Sequence, residues 1–465
     1  MGREETAESA VVMGLGRFGG GLGAVSYLLE RGMEVTVTDL QTEEQLHDSL
    51  LQLRDLRHAS RIRLVLGTHE GVDFENADLV VANPAIPRPW ENPFLKRAMA
   101  AGTRVCTEIQ LLLERIDQSR LIAVTGSAGK STTCAMIHHL LGQSGRNSLL
   151  GGNLGGSLLG CDQQRIDEAD AVVLEVSSFM LHWIGATRSP FRPRVGVLTT
   201  LGINHTDWHG DLDHYVSSKS VLCRATTPGN LVLPVAPGAI DSRIPGSQDL
   251  TEGWHARREA SWDEVGELEK LHDSIRLDVP GEHQVHNAMT ALRAVASLLA
   301  DRAEDRRATA QALASDLATF TGLPHRLKVL EGFYGIRVVD DSKSTTPEAT
   351  LMAVAAMDDR SRTHLIAGGF DKGGDLSGID ALGDDLAGLY AIGTTAGSLL
   401  SGRNAVRCGD IESAVACAAG RMSRGDILLL SPGCASWDQF INYEERGRTF
   451  ADAARSCLQA RWDRT

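Results

Sequence analysis

The sequence predicts an α/β protein of three domains: Rossmann-like at the N-terminus, a central P-loop NTPase-like domain with a mixed sheet, and Rossmann-like again at the C-terminus. Three observations carry this expectation. The chain has 465 residues, more than one ordinary core holds. Short apolar runs alternate with helical patterns, the rhythm of parallel sheets covered by helices. The pattern breaks near residue 117 and at Gly322-Leu323-Pro324, giving domains 1–117, 118–322 and 323–465.

In the first stretch, Val11-Val12-Met13 reads as a strand entering a glycine-rich turn. A helix from about Gly23 to Glu30 follows, then a strand Glu34–Thr38 ending at Asp39. Strands at Leu64–Leu66 and Leu79–Ala82 and a helix Glu108–Ile116 complete it. In the second stretch, Leu121–Val124 is a buried strand and Thr132–Leu141 has the apolar spacing of a helix. Strands Ala171–Leu174 and Val195–Thr199 and helices Asn287–Leu299 and Arg307–Phe320 follow, while 228–282 reads as short strands and loops. The third stretch carries strands at Arg337–Val339, Thr363–Ala367, Leu389–Ile392 and Ile427–Leu430. Ligands of such sheets gather at the carboxyl ends of strands.

Composition excludes several classes. A net charge of −14 argues against nonspecific nucleic-acid binding, which needs a basic footprint. No run of eighteen uncharged apolar residues exists, so no membrane span is expected. The opening MGREETAESA lacks the basic-then-apolar layout of a signal peptide, and eight scattered cysteines without C-x-x-C spacing suit a reducing compartment. A cytoplasmic protein is expected, and a monomer.

The chemistry is concentrated in seven segments. Gly126-Ser127-Ala128-Gly129-Lys130-Ser131-Thr132 joins a strand to a helix, the wiring of a phosphate cradle. Its glycines are separated by two residues where the full Walker pattern has four. Gly14-Leu15-Gly16-Arg17-Phe18-Gly19 matches G-x-G-x-x-G, with Asp39 twenty residues on. That loop suits NAD, a UDP-linked substrate, or only close strand–helix packing. Glu175 ends a buried strand where a carboxylate can ligate Mg²⁺. His205, Asp207 and His209 cluster after another strand, with Lys219 ten residues beyond His209 at the start of a helical segment. Three strand ends, around Asp341-Ser342-Lys343, Asp371-Lys372 and Ser436-Trp437, bear lysines and hydroxyls that suit a dicarboxylate.

Together these segments resemble the ATP-dependent Mur ligases of peptidoglycan synthesis. The likeness runs in order through VTGSAGKST, GGNLG, LEVSSF, GEHQVHN, LPHR, DDSKSTTPEAT, GGFDKG and LSPGCASWDQF. The Asp-Ser-Lys segment, and the lack of an Asp-Asn-Pro-Arg segment, resemble members that add D-glutamate to UDP-N-acetylmuramoyl-L-alanine. The resemblance implies ATP and two Mg²⁺ ions as cofactors and those two compounds as substrates. It implies catalytic roles for Lys130, Glu175, His205, Lys219 and Lys343. It places Gly126–Thr132, Gln284, Asn287, Arg326 and Asp341 on ATP. It places Gly14–Gly19, Asp39, Asn153, Ser177 and His205 on the UDP substrate, and Lys343, Thr345, Lys372, Ser436, Trp437 and Tyr443 on D-glutamate. Ser131, Glu175, His205 and a carbamylated Lys219 would ligate metal. Ala128, Asn204 and Gln284 stand where the family usually has asparagine, aspartate and asparagine. The alternatives are a related Mur or folylpolyglutamate-type ligase with another acceptor or amino acid, and an NAD-dependent oxidoreductase.

Overall fold

A computed structural model describes residues 8–462 except 17–18, 188, 237, 245–253, 255–256, 259, 263–265, 334 and 372. Contacts divide the chain into two compact units, one running to Ile275 and joined by His286–Leu317, the other formed by Arg276–Val285 and the chain from Ala318 onward.

The first unit holds two sheets. β1 (Ser9–Met13), β2 (Glu34–Asp39), β3 (Ile62–Leu66), β4 (Leu79–Ala82) and β5 (Arg104–Cys106) pair in parallel in the order β3-β2-β1-β4-β5. Strand order reverses between β1 and β4, and the glycine turn leaves β1 at that crevice. The following helix, Gly20–Glu30, starts three residues before the sequence pattern suggests.

β6 (Leu121–Thr125), β7 (Ser148–Gly152), β8 (Ala171–Glu175), β9 (Val195–Leu198) and β10 (Leu231–Val232) form the second sheet, ordered β10-β9-β6-β8-β7. β6, β8 and β9 are buried throughout, as expected of strands covered on both faces. The mixed pairing expected here is not found among the described residues, whose strands all pair in parallel. The connections between these strands carry helices, and such crossovers return a chain parallel to itself.

The two sheets share one apolar core that includes Val12 and Val35 from the first and Leu121, Ala123 and Leu174 from the second. The helix Glu108–Leu113 is buried along its whole length, with the Gln110 amide donating to the Trp183 carbonyl at 3.3 Å. The break near 117 is therefore a change of sheet within continuous packing. The helix expected over 307–320 is an α-helix only over Ala303–Leu313 and tightens to a 3₁₀ turn over Ala314–Thr319. A helix Glu267–Ser274 also lies in the segment read as strands and loops.

In the second unit, β11 (Lys328–Leu330), β12 (Arg337–Asp340), β13 (Thr363–Gly368), β14 (Gly388–Ile392), β15 (Ala405–Gly409) and β16 (Ile427–Leu430) are ordered β11-β12-β16-β13-β14-β15. Only β11 and β12 pair antiparallel among these strands, because a short turn rather than a helix joins them. The carboxyl ends of β12, β16 and β13 are neighbours, which gathers the loops carrying Lys343, Ser436 and Phe370.

Candidate active site

β6 is central in its sheet, and the phosphate-type loop leaves its carboxyl end between those of β8 and β9. Gly126 has φ 154°, and a side chain there would meet the Thr199 hydroxyl at 2.0 Å. Gly129, at φ 82°, caps the helix Lys130–Gln143, and a side chain there would meet the Asn287 amide oxygen at 2.6 Å. The loop is braced from the segment that follows β9: Ser127 N–H donates to the Thr200 carbonyl (2.9 Å) and Ala128 N–H to the Thr200 hydroxyl (2.8 Å). Those two amides are thereby committed within the protein. Lys130 Nζ donates to the Ser127 carbonyl at 3.1 Å, curling over the loop.

Glu175 ends β8 beside this loop and is 1% exposed. Its Oε1 accepts from Asn153 Nδ2 at 2.7 Å, while its buried Oε2 accepts no hydrogen bond among the described residues. A side chain at Gly152 would strike the Glu175 carbonyl at 2.3 Å, so the β7 end fits tightly against it. Such a buried oxygen is costly unless a cation or donor completes it.

Lys219, on the helix Leu212–Ala225, is 2% exposed. Its Nζ donates to the Gly126 carbonyl (2.9 Å) and lies 4.8 Å from the Tyr215 ring centroid. Burial, then the nearby Lys130, hold its pKa well below the ordinary lysine value. His205 has a left-handed backbone (φ 54°) that starts the short helix Thr206–His209, with its ring 4.9 Å from that of Phe179. Burial, then Lys130 and Lys219, lower its pKa.

In the N-terminal sheet, Gly14 (φ 86°) and Gly16 (φ 64°) pack against Asn83 from the end of β4, and a side chain at Gly21 would strike the Leu15 carbonyl at 2.3 Å. Leu15 is buried in the core. Asp39 accepts the Gly16 N–H (3.2 Å) on one oxygen and the Gln41 N–H (2.9 Å) on the other. It therefore braces the turn.

In the second unit, Asp341 is buried: Ser431 Oγ donates to one oxygen (2.8 Å) and Leu327 N–H to the other (3.1 Å). Burial pushes its pKa up to about 7. His325 (φ 59°) and Leu327 (φ 45°) both take left-handed conformations that side chains disfavour, fixing Arg326 between them. Lys343 Nζ lies 4.7 Å from the Tyr443 ring centroid, Ser436 is buried, and Trp437 is 61% exposed beside Phe370.

Residues 8–107 match the Mur ligase MurD-like N-terminal domain, and residues 124–295 the Mur ligase middle domain. The UDP-N-acetylmuramoylalanine–D-glutamate ligase of Geobacter metallireducens is 32% identical over 470 residues, covering 97% of this chain and 98% of that protein. The chain belongs to the Mur ligase family. It is accordingly a ligase. The protein of the same name from Streptococcus pneumoniae strain CGSP14 is 33% identical, with 96% of each chain covered. Among solved structures, the fold is shared with MurC of Thermotoga maritima (TM-score 0.56, 16% identity, 96% and 99% covered). It is shared also with the MurF ligase of that organism in complex with ADP (TM-score 0.55, 16% identity, 98% and 97% covered).

In this Mur ligase, then, Glu175, Lys219, His205 and Asn287 lie about the loop that carries Lys130, and Asn153 holds Glu175. Ser177 caps the helix Ser178–Ala186 by accepting the Met180 N–H at 3.2 Å. Ser131 and Thr132 are buried at the start of the loop helix. Gln284 is buried, and Thr345 is half-buried on the Lys343 loop. Arg17, Phe18 and Lys372 lie outside the described residues. Two features escape the sequence reading. His209, taken there as part of a site cluster, is buried in a chain of imidazoles: Ser178 Oγ to His209 (2.9 Å), His209 to His214 (2.9 Å), His214 to His182 (3.1 Å). The other is Arg446, the largest of the fully buried side chains among the described residues. No helix among the described residues is long and apolar enough to cross a membrane.

Proposed function

We propose that the chain joins D-glutamate to UDP-N-acetylmuramoyl-L-alanine, with ATP activating the muramoyl-alanine carboxylate as an acyl phosphate. The observation that carries this reading is the phosphate-type loop with a half-satisfied buried Glu175 on one side and a buried Lys219 on the other. In this reading the UDP substrate, ATP and amino acid are served by residues 1–117, 118–322 and 323–465.

A carboxylate is a poor electrophile, so a phosphate must become its leaving group. A carboxylate oxygen attacks the γ-phosphorus and ADP departs. The glutamate amine, having given up a proton, then attacks the acyl carbon, and the tetrahedral intermediate expels phosphate. Positioning and charge neutralisation supply most of the acceleration in such transfers. Lys130 and the amides of the helix's first turn hold the transferring phosphate, because the Ser127 and Ala128 amides are engaged elsewhere. Asn287, against Gly129, borders the nucleotide, and Gln284, Arg326 and Asp341 also serve it. Asn153, Ser177 and His205 face the muramoyl substrate. Lys343, Thr345, Lys372, Ser436, Trp437 and Tyr443 receive the amino acid.

The residues fit magnesium. Glu175 Oε2 is a hard oxygen awaiting a partner, with the Ser131 hydroxyl on the adjoining helix. Ser131 and Glu175 would hold one ion, and Glu175, His205 and a carbamylated Lys219 a second. Bound Mg²⁺ supplies positive charge to the phosphate oxygens. The neutral amine favoured at Lys219 is the form that adds CO₂, giving a carbamate and releasing a proton. The same reading makes the enzyme a cytoplasmic monomer.

Phosphate release tests this directly. With ATP, Mg²⁺ and UDP-N-acetylmuramoyl-L-alanine, a panel of D- and L-amino acids should give turnover with D-glutamate and little with the others. Turnover with a different amino acid, or with a folate in place of the UDP substrate, would assign the chain to a sister activity.

A further inference from the structure

We infer that Arg446 is a positioning residue for amino-acid capture: its guanidinium sets the spacing between the Lys343 loop and the Ser436 loop. The inference rests on the assignment of those loops to the amino acid under Proposed function. Arg446 lies in the helix Tyr443–Trp462 and is 1% exposed. Its Nη2 donates to the Ser342 carbonyl (2.7 Å), its Nε to Ser342 Oγ (3.1 Å) and its Nη1 to the Cys434 carbonyl (3.1 Å). Ser342 immediately precedes Lys343, and Cys434 stands two residues before Ser436. One planar group thus bridges the loops that follow β12 and β16. The loop after β13 closes on the same group, since a side chain at Gly369 would come within 3.3 Å of Nη1 and 2.4 Å of the Ala435 carbonyl.

A second contact comes from the same helix start. Ser342 Oγ donates to the Tyr443 carbonyl (2.7 Å), and the Tyr443 ring receives Lys343 Nζ at 4.7 Å. All three acceptors of Arg446 among the described residues are neutral oxygens of the two loops, while the carboxylates of Asp438, Asp340 and Asp341 act on its charge without a direct hydrogen bond. Burial lowers its pKa to about 10, which leaves it charged at neutral pH. A lysine keeps the charge but cannot reach across both loops as a rigid fork.

The test is steady-state kinetics of the full-length enzyme with all three substrates varied in turn. Arg446→Lys should raise the KM for the amino acid about 10–100-fold, the scale of a lost charge-assisted hydrogen bond, and leave the KM for ATP and for the UDP substrate within about two-fold. Ser342→Ala, a milder cut at the same junction, should raise the amino-acid KM about 2–10-fold and add little on top of Arg446→Lys. An unchanged amino-acid KM in both variants overturns the inference, as does an equal rise in all three KM values. If Arg446→Lys does not fold, Ser342→Ala alone decides by the same criterion. Wild-type enzyme showing no amino-acid-dependent phosphate release would instead reject the proposed function.

Discussion

Glu175→Gln should lower phosphate release by about 10²–10³-fold while the protein stays folded, the loss typical of removing one electrostatic contact to a transition state. The side chains have the same shape, and the glutamine carbonyl can keep the 2.7 Å bond from Asn153. What changes is the second oxygen, which is buried and accepts no hydrogen bond among the described residues. An amide nitrogen there offers protons where a cation needs lone pairs. Folding should tolerate the exchange, because a buried carboxylate carries a desolvation cost that a neutral amide avoids. Measured stability near wild type with lost turnover fits the proposal. Turnover near wild type would show that Glu175 does not serve the phosphates.

Lys219→Ala should be nearly as damaging, and repairable. The lysine's environment disfavours an ammonium: it is buried, Lys130 is close, and its Nζ meets the Gly126 carbonyl at the phosphate loop. If a carbamate forms there, truncation leaves a cavity the size of a short carboxylate. Added formate or acetate should then restore part of the activity of Lys219→Ala, about ten-fold or more over the unrescued variant, the magnitude of one recovered charge contact. Bicarbonate dependence of the wild type would agree. Full activity in the alanine variant without any additive removes the carbamate from the account.

The parts legible in the sequence are those whose chemistry is local. β6, β8 and β9 are continuous apolar runs because helices cover both faces of the sheet, and Glu175 is conspicuous as the acid that ends one of them. The glycine loop announces itself because only glycine tolerates φ 82° with Asn287 against it. The strands left unread were short or at edges: β5 has three residues, β10 two, and β15 lies half-exposed. Two or three residues cannot express a period.

Arg446 sits in YEERGR, a run with the composition of a solvated helix face, and nothing in that run reveals that two loops fold over it. The histidine chain joins residues 32 positions apart, so no spacing rule reaches it. Asp39 shows what spacing leaves out. Its distance from the glycine turn matches a ribose-binding acid, and its oxygens also accept two backbone amides beside the turn, a bracing contact that no spacing predicts.

The direct test of carboxylate activation is isotopic. UDP-N-acetylmuramoyl-L-alanine labelled with ¹⁸O in its alanyl carboxylate should, on ligation to D-glutamate, deliver one labelled oxygen to the released inorganic phosphate, detectable by mass or by the ³¹P isotope shift. Phosphate that emerges without label while the amide product forms would contradict an acyl phosphate, and with it the role assigned to the Lys130–Glu175–Lys219 site.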